Sequence, residues 1–129
     1  MAIRTQLSVT MENVPGTLAK MCGALGEKKV NIVAHMSAEH EGRSLVRLIV
    51  DKVPVAKRVL GAIGYAYTEE QVLTTKLTNR PGALATVVKG LGDAGINIDY
   101  AYVGAEPGSL RPLGVFSVSD LARAKQLIK

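Results

Sequence analysis

The most constraining feature of this sequence is an internal repeat. When the chain is shifted by 66 residues, ten positions between 7 and 32 carry the same residue as their partners. From residue 50 onward the offset is 68, which places two extra residues in the loop around Glu106-Pro107-Gly108-Ser109, where insertions are best tolerated. The repeat predicts two copies of one small unit, residues 1–66 and residues 67–129. The ten shared pairs are Leu7 and Leu73, Asn13 and Asn79, Pro15 and Pro81, Gly16 and Gly82, Leu18 and Leu84, Ala19 and Ala85, Leu25 and Leu91, Gly26 and Gly92, Asn31 and Asn97, and Ile32 and Ile98.

Composition limits the classes of protein that this chain can represent. With 129 residues, 47% hydrophobic and 21% charged, it resembles a folded domain rather than a disordered chain. Its single cysteine, Cys22, excludes an internal disulfide framework and a zinc site made of thiolates alone. No apolar run approaches the length of a membrane span, and the first residues lack the apolar core of a signal peptide. We therefore expect a cytoplasmic protein with no membrane partner.

Each copy has the same predicted order of elements: strand, helix, strand, strand, helix and strand. Apolar residues of the first helix recur at spacing i, i+3, i+4 and i+7, which predicts one buried face. This face comprises Leu18, Met21, Cys22 and Leu25 in the first copy and Leu84, Val87, Val88 and Leu91 in the second. The order of elements is that of the α+β, ferredoxin-like βαββαβ fold, in which two helices pack on one face of an antiparallel sheet.

The second copy ends at Lys129, within or just after its second helix, so its last strand is missing from the pattern. An unpaired strand edge invites pairing with another chain. Either the sequence is shortened at this point, or another segment or another subunit completes the edge. We expect a homodimer in which these domains associate through sheet edges.

Candidate binding residues cluster at two places in each copy. The first is the strand-to-helix turn, Asn13-Val14-Pro15-Gly16 in one copy and Asn79-Arg80-Pro81-Gly82 in the other. A helix N-terminus offers free N–H groups to a carboxylate, and glycine lets a ligand approach the backbone closely. The second is the start of the next strand, Asn31-Ile32 and Asn97-Ile98. An asparagine amide both donates and accepts, which suits a zwitterion, but asparagine at such positions also serves as a helix cap or in a turn.

These stretches resemble the ACT domain, a small regulatory module that senses amino acids. The second copy matches with Asn79-Arg80-Pro81-Gly82-Ala83-Leu84-Ala85 and Gly95-Ile96-Asn97-Ile98. The first copy matches more loosely, with Asn13-Val14-Pro15-Gly16-Thr17-Leu18-Ala19 and Val30-Asn31-Ile32. The resemblance covers nearly the whole chain as a tandem pair. It implies a free amino acid bound between two domains, with contacts from the first turn of one domain and the second strand of its neighbour.

The resemblance also implies roles for individual asparagines. In serine-sensing members of the family, an asparagine at the turn and an asparagine on the second strand hold the ligand. The matching positions here are Asn13, Asn79, Asn31 and Asn97. If the two copies pair within one chain, the resemblance implies that Asn13 faces Asn97 and that Asn79 faces Asn31.

Two further features distinguish this chain from the serine sensors. Those members carry a histidine two residues before the turn asparagine, whereas this sequence has Met11 and Leu77, which favour a less polar pocket.

Most ACT domains are attached to an enzyme, and no catalytic domain is recognised here. The resemblance therefore implies a free-standing sensor, or a regulatory subunit acting on an enzyme of amino-acid metabolism. We expect no catalytic activity, no cofactor and no metal.

Three other patterns are assigned to structure rather than to chemistry. The stretch 90–95 spells the glycine pattern of dinucleotide sites, but it follows a helix and precedes a strand, so we expect a helix C-terminus and a turn. Histidine and glutamate in the stretch 35–41 cross a strand end and a hairpin turn, so their side chains should diverge rather than bind a metal. Cys22 lies on an apolar helix face and is expected to be a small core residue.

An RNA-binding module is the alternative function, because RNA-recognition domains share the βαββαβ order. Such modules need exposed aromatic side chains on their central strands to stack bases. The candidates are Phe116, whose counterpart Leu48 predicts a core position, and Tyr100 and Tyr102, which are expected in the core or at an interface. The net charge of +5 is spread along the chain rather than concentrated on one face, which also makes a nucleic-acid partner unexpected.

Overall fold

The observed elements follow the predicted order. The computed structural model describes residues 2–105 and 111–127, so the loop segment 106–109 discussed above lies outside the described residues. Within those ranges, no helix has the length and apolar content needed to cross a bilayer. The strands are β1 (Ala2–Glu12), β2 (Ile32–His40), β3 (Arg43–Val50), β4 (Tyr67–Lys76), β5 (Ile98–Ala105) and β6 (Pro112–Val118), and the helices are α1 (Thr17–Glu27), α2 (Val53–Ala62), α3 (Ala83–Asp93) and α4 (Leu121–Leu127).

The chain forms two compact units. The first unit comprises Thr5–Glu70, and the second unit comprises Met1–Arg4 together with Gln71–Lys129. The division falls inside β1 and inside β4, so each of these strands contributes residues to both units. The predicted tandem of ferredoxin-like units is confirmed.

The first unit contains all six elements of the βαββαβ fold. Its strands lie in the order β2-β3-β1-β4, and β3 runs antiparallel to both β1 and β2. Alternate residues of β1 and β3 face the two helices, because successive side chains on a strand point to opposite faces. Met21 and Leu25 of α1 are buried against this face, as the helical spacing predicts. The buried core consists of Leu7, Val9, Met11, Met21, Leu25, Val30, Val46, Leu48, Val50, Ala56, Val59 and Leu60.

In the second unit, the start of β1 occupies the position of the fourth strand. β4 and β5 both pair antiparallel with β6, and β1 is the other neighbour of β4. The Thr74 hydroxyl donates a hydrogen bond to the Ala2 carbonyl over 3.1 Å. The sequence left open what lies beside the edge strand of the second copy. In this structure a segment of the same chain lies there, because Ala2–Arg4 belongs to this unit.

The α3 helix differs from the prediction of a fully buried apolar face. Leu91 is buried and Val87 packs partly against the core, but Leu84 and Val88 remain 44% and 39% exposed. For Leu84 and Val88 the prediction is wrong. In the first unit, residues after α2, among them Tyr65, pack on the core beside α1. In the described part of the second unit, α4 ends at Leu127 and no corresponding segment covers α3.

Candidate functional site: the two glycine turns

Each strand-to-helix turn ends in a glycine with left-handed backbone geometry. Gly16 precedes α1 with φ 95° and ψ −16°, and Gly82 precedes α3 with φ 86° and ψ −7°. This region of φ is open to glycine and strained for residues with a Cβ. The glycines are the N-cap residues, and no side chain makes a capping hydrogen bond to either helix. Neither Asn13 nor Asn79 is a helix cap. The first helical N–H of each helix donates to a carbonyl of its own turn, from Thr17 to Val14 over 3.5 Å and from Ala83 to Arg80 over 3.3 Å.

A cavity of about 370 Å³ lies at the first glycine turn. Its walls are residues 13–18 of the turn, residues 37–39 of β2 and Ser44 of β3. The Ser44 hydroxyl donates to Asn13 Oδ1 over 3.1 Å. Ser44 reaches the turn because it lies opposite Met11 in the β1–β3 register, a relation that no spacing in the sequence reveals. Thr17 holds the turn from the other side, since its hydroxyl donates to the Glu12 carbonyl over 2.7 Å.

The second glycine turn differs by carrying a cation. Arg80 stands where the first turn has Val14, and its N–H donates to the Thr78 carbonyl over 2.8 Å. Arg80 and Ala83 line a cavity of about 350 Å³ that extends along α3, whereas Asn79, Pro81 and Gly82 are not among its walls. The two turns therefore share their backbone geometry but present different chemistry.

The asparagines at the strand starts have their backbones fixed by hydrogen bonds. The N–H of Asn31 donates to Asp51 Oδ1 over 2.9 Å, and the Asp51 N–H donates back to the Asn31 carbonyl over 3.1 Å. The N–H of Asn97 donates to Ser119 Oγ over 2.9 Å, and the Ser119 N–H donates to the Asn97 carbonyl over 2.9 Å. Both asparagines remain exposed, and the Asn97 amide donates to Asp99 Oδ1 over 2.9 Å. The backbone thus has a structural role, and the side chains lie at the surface.

Within each unit, the turn asparagine and the strand asparagine lie at opposite ends of the strands. In the first unit, Glu12 pairs with Arg43, whereas Ile32 pairs with Val50 at the other end of β3. The second unit repeats this arrangement, since Lys76 pairs with Leu113 and Ile98 pairs with Val118. No unit brings its own two site asparagines together. The pairing of Asn13 with Asn97 and of Asn79 with Asn31 stays a prediction.

Residues assigned to structure occupy structural positions. Cys22 is partly buried on α1, and this burial raises the pKa of its thiol. Phe116 is fully buried in the core of the second unit, as predicted, so it cannot stack an RNA base. Across residues 2–105 and 111–127, no group of three or more His, Cys, Asp or Glu side chains is arranged to hold a metal ion.

The glycine stretch 90–95 lies at the end of α3, as predicted. Gly90 and Gly92 are within the last turns of the helix rather than beyond it. Gly95 alone of the three has left-handed geometry, with φ 73°, and its N–H donates to the Gly92 carbonyl over 3.0 Å. The stretch therefore ends a helix and does not open one.

Comparison with known proteins agrees with this architecture. Residues 1–128 match a family described as an ACT domain pair. Protein BT0572 from Bacteroides thetaiotaomicron superposes with a TM-score of 0.87 and 27% identity, covering 98% of this chain and 86% of that chain. The ligand-free regulatory subunit of aspartate kinase from Thermus thermophilus superposes with a TM-score of 0.67 and 16% identity, covering 99% of this chain and 96% of that chain. Clostridium acetobutylicum aspartate kinase superposes with a TM-score of 0.62 and 12% identity, covering 98% of this chain and 32% of that enzyme. No curated protein sequence matches the chain.

The family match spans both units. The two aspartate kinase structures share the fold, one as a separate regulatory subunit and the other as part of a longer enzyme chain described as allosteric. The left-handed glycine before the first helix occurs in each half of the matched region. This chain belongs to the ACT domain family, in which its two units form an ACT domain pair of regulatory modules.

Proposed function

We propose that this chain is a non-catalytic regulatory protein that binds a free amino acid and controls an enzyme of amino-acid metabolism. The observation that carries the proposal is the helix start in each unit, where Gly16 and Gly82 leave the first-turn N–H groups without a side-chain cap. Such groups favour a carboxylate, since they carry the partial positive charge of the helix N-terminus. Membership of a family of regulatory domains supports the regulatory role.

The cavity at the first turn supplies the other contacts that an amino acid needs. Because Asn13 Oδ1 already accepts the Ser44 hydroxyl, the Asn13 amide keeps its N–H groups for the ligand carboxylate. Glu39 lines the same cavity and offers a carboxylate to the ligand ammonium. A volume of about 370 Å³ lies in the range of small-molecule sites.

The strand asparagines serve the ligand only when they come from a different ACT domain. Asn13 and Asn31 lie at opposite ends of the first unit, so one domain cannot place both on one small molecule. We therefore propose that a second ACT domain supplies the strand contact, as the family resemblance implies, and that the chain acts as a homodimer. A ligand that bridges two domains favours the arrangement that contacts it better, and this preference is the regulatory signal to the partner enzyme.

Thermal unfolding of the purified protein against each of the twenty amino acids and a short RNA tests the proposal. A ligand at about one hundred times its Kd stabilises the folded state by about 2.7 kcal/mol, which raises the unfolding midpoint measurably. The expected result is a rise with one amino acid or a chemically related few. A rise with RNA alone would instead establish the RNA-binding alternative, and no rise with any amino acid would contradict the sensor.

The variant Asn97→Ala separates binding from folding. Alanine retains the backbone bonds to Ser119 and loses only the exposed amide, so the free energy of unfolding should change by less than about 0.5 kcal/mol. Affinity for the amino acid should fall by about tenfold or more, the loss of a hydrogen bond to a charged group. Asp99→Ala is the control, since it removes the neighbour of the amide but keeps the amide. Equal losses of binding and stability in Asn97→Ala would assign this residue to the turn instead.

A further inference from the structure

Each unit carries the two halves of the proposed site at its opposite ends, and these halves differ in charge. The turn half holds the turn asparagine and comprises residues 11–17 and 37–39 in the first unit and, through the repeat, residues 77–83 and 103–105 in the second. The strand half holds the strand asparagine and comprises residues 27–33 and 51–52 in the first unit and residues 93–99 and 119–120 in the second.

The two turn halves carry opposite charge. The first turn half contains Glu12 and Glu39 and no basic residue, so its net charge is −2. Both glutamates are exposed, and Glu39 lines the cavity beside Asn13. The second turn half has the exposed Arg80 as its single charged residue, so its net charge is +1. The next arginine along each copy, Arg43 or Arg111, occupies an equivalent position in both and leaves the sign of each half unchanged.

The first strand half is positive. Its charged residues are Lys28, Lys29 and Lys52 against Glu27 and Asp51, a net charge of +1. Lys52 Nζ donates to the Lys29 carbonyl over 3.1 Å, which brings the third ammonium group to the loop that precedes Asn31. Among the residues that the structure describes, these three lysines form no ion pair. The ammonium groups are therefore available to a partner at this end of the unit.

The second strand half is negative. It contains three exposed carboxylates and no basic residue: Asp93, Asp99 and Asp120. Asp93 forms an ion pair with Lys89, a residue outside this half. Asp99 accepts the Asn97 amide over 2.9 Å, and Asp120 accepts the Arg123 N–H over 3.1 Å. Even with Asp93 neutralised by Lys89, this half keeps a negative charge, the opposite of its counterpart in the first unit.

These signs favour one pairing of halves and oppose the other. When the turn half of a unit meets the strand half of the same kind of unit, opposite charges face each other, −2 with +1 and +1 with −3. When the halves are exchanged between the units, like charges face each other, −2 with −3 and +1 with +1. Complementary charge fixes the register of an interface, and like charge penalises the wrong partner.

The favoured pairing needs a second copy of the chain. The two halves of one unit lie at opposite ends of its strands, so they cannot meet each other. The outermost strand of the sheet, β2, begins after Asn31 and ends next to the turn half. A two-fold axis that places two β2 strands antiparallel brings the start of each beside the end of the other, so both copies gain the same contact.

We infer that a second copy of this chain supplies the strand half to the same kind of unit, and that charge selects this arrangement. Asn31 of the second copy then faces Asn13, and Asn97 of the second copy faces Asn79. The inference rests on the proposed function in taking the site to be shared between two ACT domains. It names which domain supplies the second half, and it differs from the pairing of Asn13 with Asn97 that one chain alone would require.

Reversing the charge of the first strand half tests the inference by the direction of the effect. The double variant Lys28→Glu, Lys29→Glu should raise the Kd of the dimer about tenfold or more at low ionic strength, measured by analytical ultracentrifugation, because each new glutamate faces Glu12 and Glu39. If this half faced Arg80 instead, the same variant would lower the Kd. Arg58→Glu with Lys125→Glu is the control, since it changes the net charge equally outside all four halves and should keep the Kd within about threefold.

A compensating reversal distinguishes a charge contact from damage to the fold. Glu12→Lys with Glu39→Lys should also raise the Kd about tenfold or more, for the same reason. Combining all four substitutions in one chain restores opposite charges at the contact, so the Kd should return to within about threefold of the wild type. A misfolded variant would not regain dimerisation in this way. The differences should shrink in about 1 M salt, where the Debye length is about 3 Å.

The outcomes separate this inference from the proposed function. Weakening by each reversal and rescue by their combination establish the pairing. A tighter dimer, an unchanged dimer, or weakening without rescue overturns it. A wild-type chain that stays monomeric at every concentration overturns both the pairing and the proposed homodimer. Thermal unfolding against the twenty amino acids is measured on the wild type alone, so its result decides the sensor whichever pairing is found.

Discussion

At the scale of single residues, the binding turns depend on one backbone conformation. Gly16 has φ 95° and an added Cβ there meets nothing within 4 Å, so backbone geometry, not crowding, requires glycine. The same holds for Gly82 at φ 86°. Because these glycines are the N-cap residues, Asn13 and Asn79 do not cap the helices. A residue that the sequence marks only as a glycine before a helix thus leaves the helix start without a side-chain cap.

Alanine substitution at Gly16 should therefore destabilise the protein. The left-handed conformation costs a residue with a Cβ about 1–2 kcal/mol, which urea unfolding would show as a lower midpoint. Gly23→Ala in the same helix is the control, since it is helical and has open space around it. It should stabilise the protein by up to about 1 kcal/mol, because alanine is the better helix former. A stability loss at Gly23 equal to that at Gly16 would contradict the conformational explanation.

At the scale of elements, α1 and α3 show that equal spacing of apolar residues does not guarantee equal burial. Leu18 packs partly against the core of its unit, while its counterpart Leu84 is 44% exposed. The difference arises after the second helix of each copy, where Tyr65 and its neighbours cover the first unit. Periodicity identifies which face of a helix is apolar, and packing decides how much of that face is covered.

Truncating the equivalent leucines should give unequal losses of stability. Leu18→Ala removes contacts with the core and should cost about 1–2 kcal/mol, less than a fully buried leucine. Leu84→Ala removes a side chain that is 44% exposed and should cost less, about 0.5 kcal/mol. Chemical unfolding of both variants measures the difference. Equal costs would mean that Leu84 is covered in solution, contrary to its exposure in this structure.

At the scale of the whole molecule, the boundaries of the two compact units differ from the boundaries of the two sequence copies. The first residues of the chain belong to the second unit, where they lie beside β4. The fourth strand position of that unit is therefore filled from the opposite end of the chain. Backbone hydrogen bonding explains this solution, because an uncovered strand edge leaves its N–H and C=O groups without partners.

Deleting residues 2–4 should loosen the second unit selectively. Hydrogen exchange of the amides in Gln71–Lys76 should accelerate by about tenfold or more, which corresponds to about 1.4 kcal/mol of lost protection. Amides of the β2–β3 pair in the first unit should keep their rates. The double variant Ile3→Ala, Arg4→Ala is the control, since it keeps the backbone of this strand and should have a smaller effect. Unchanged exchange in β4 after the deletion would show that the segment does not support this unit.

The sequence by itself determined the fold class and the place of the turns. The repeat, the helical spacing in Met21 and Leu25, and the Pro-Gly pairs are local patterns, and local backbone preferences follow from them directly. The buried position of Phe116 also followed, from its repeat counterpart Leu48. These features depend on residues close in the chain or on the repeat itself.

The tertiary structure alone decided which distant residues meet. Strand register brings Ser44 to Asn13, the Thr74 hydroxyl bonds Ala2 across 72 residues of sequence, and the Tyr65 hydroxyl bonds Thr17 across 48. Only packing shows that Leu84 is 44% exposed while its counterpart Leu18 packs against the core of its unit. The physical reason is that the burial of a side chain and the pairing of its polar groups depend on the residues that pack against it in the folded unit. Those residues are often distant in sequence, so the local pattern does not reveal them.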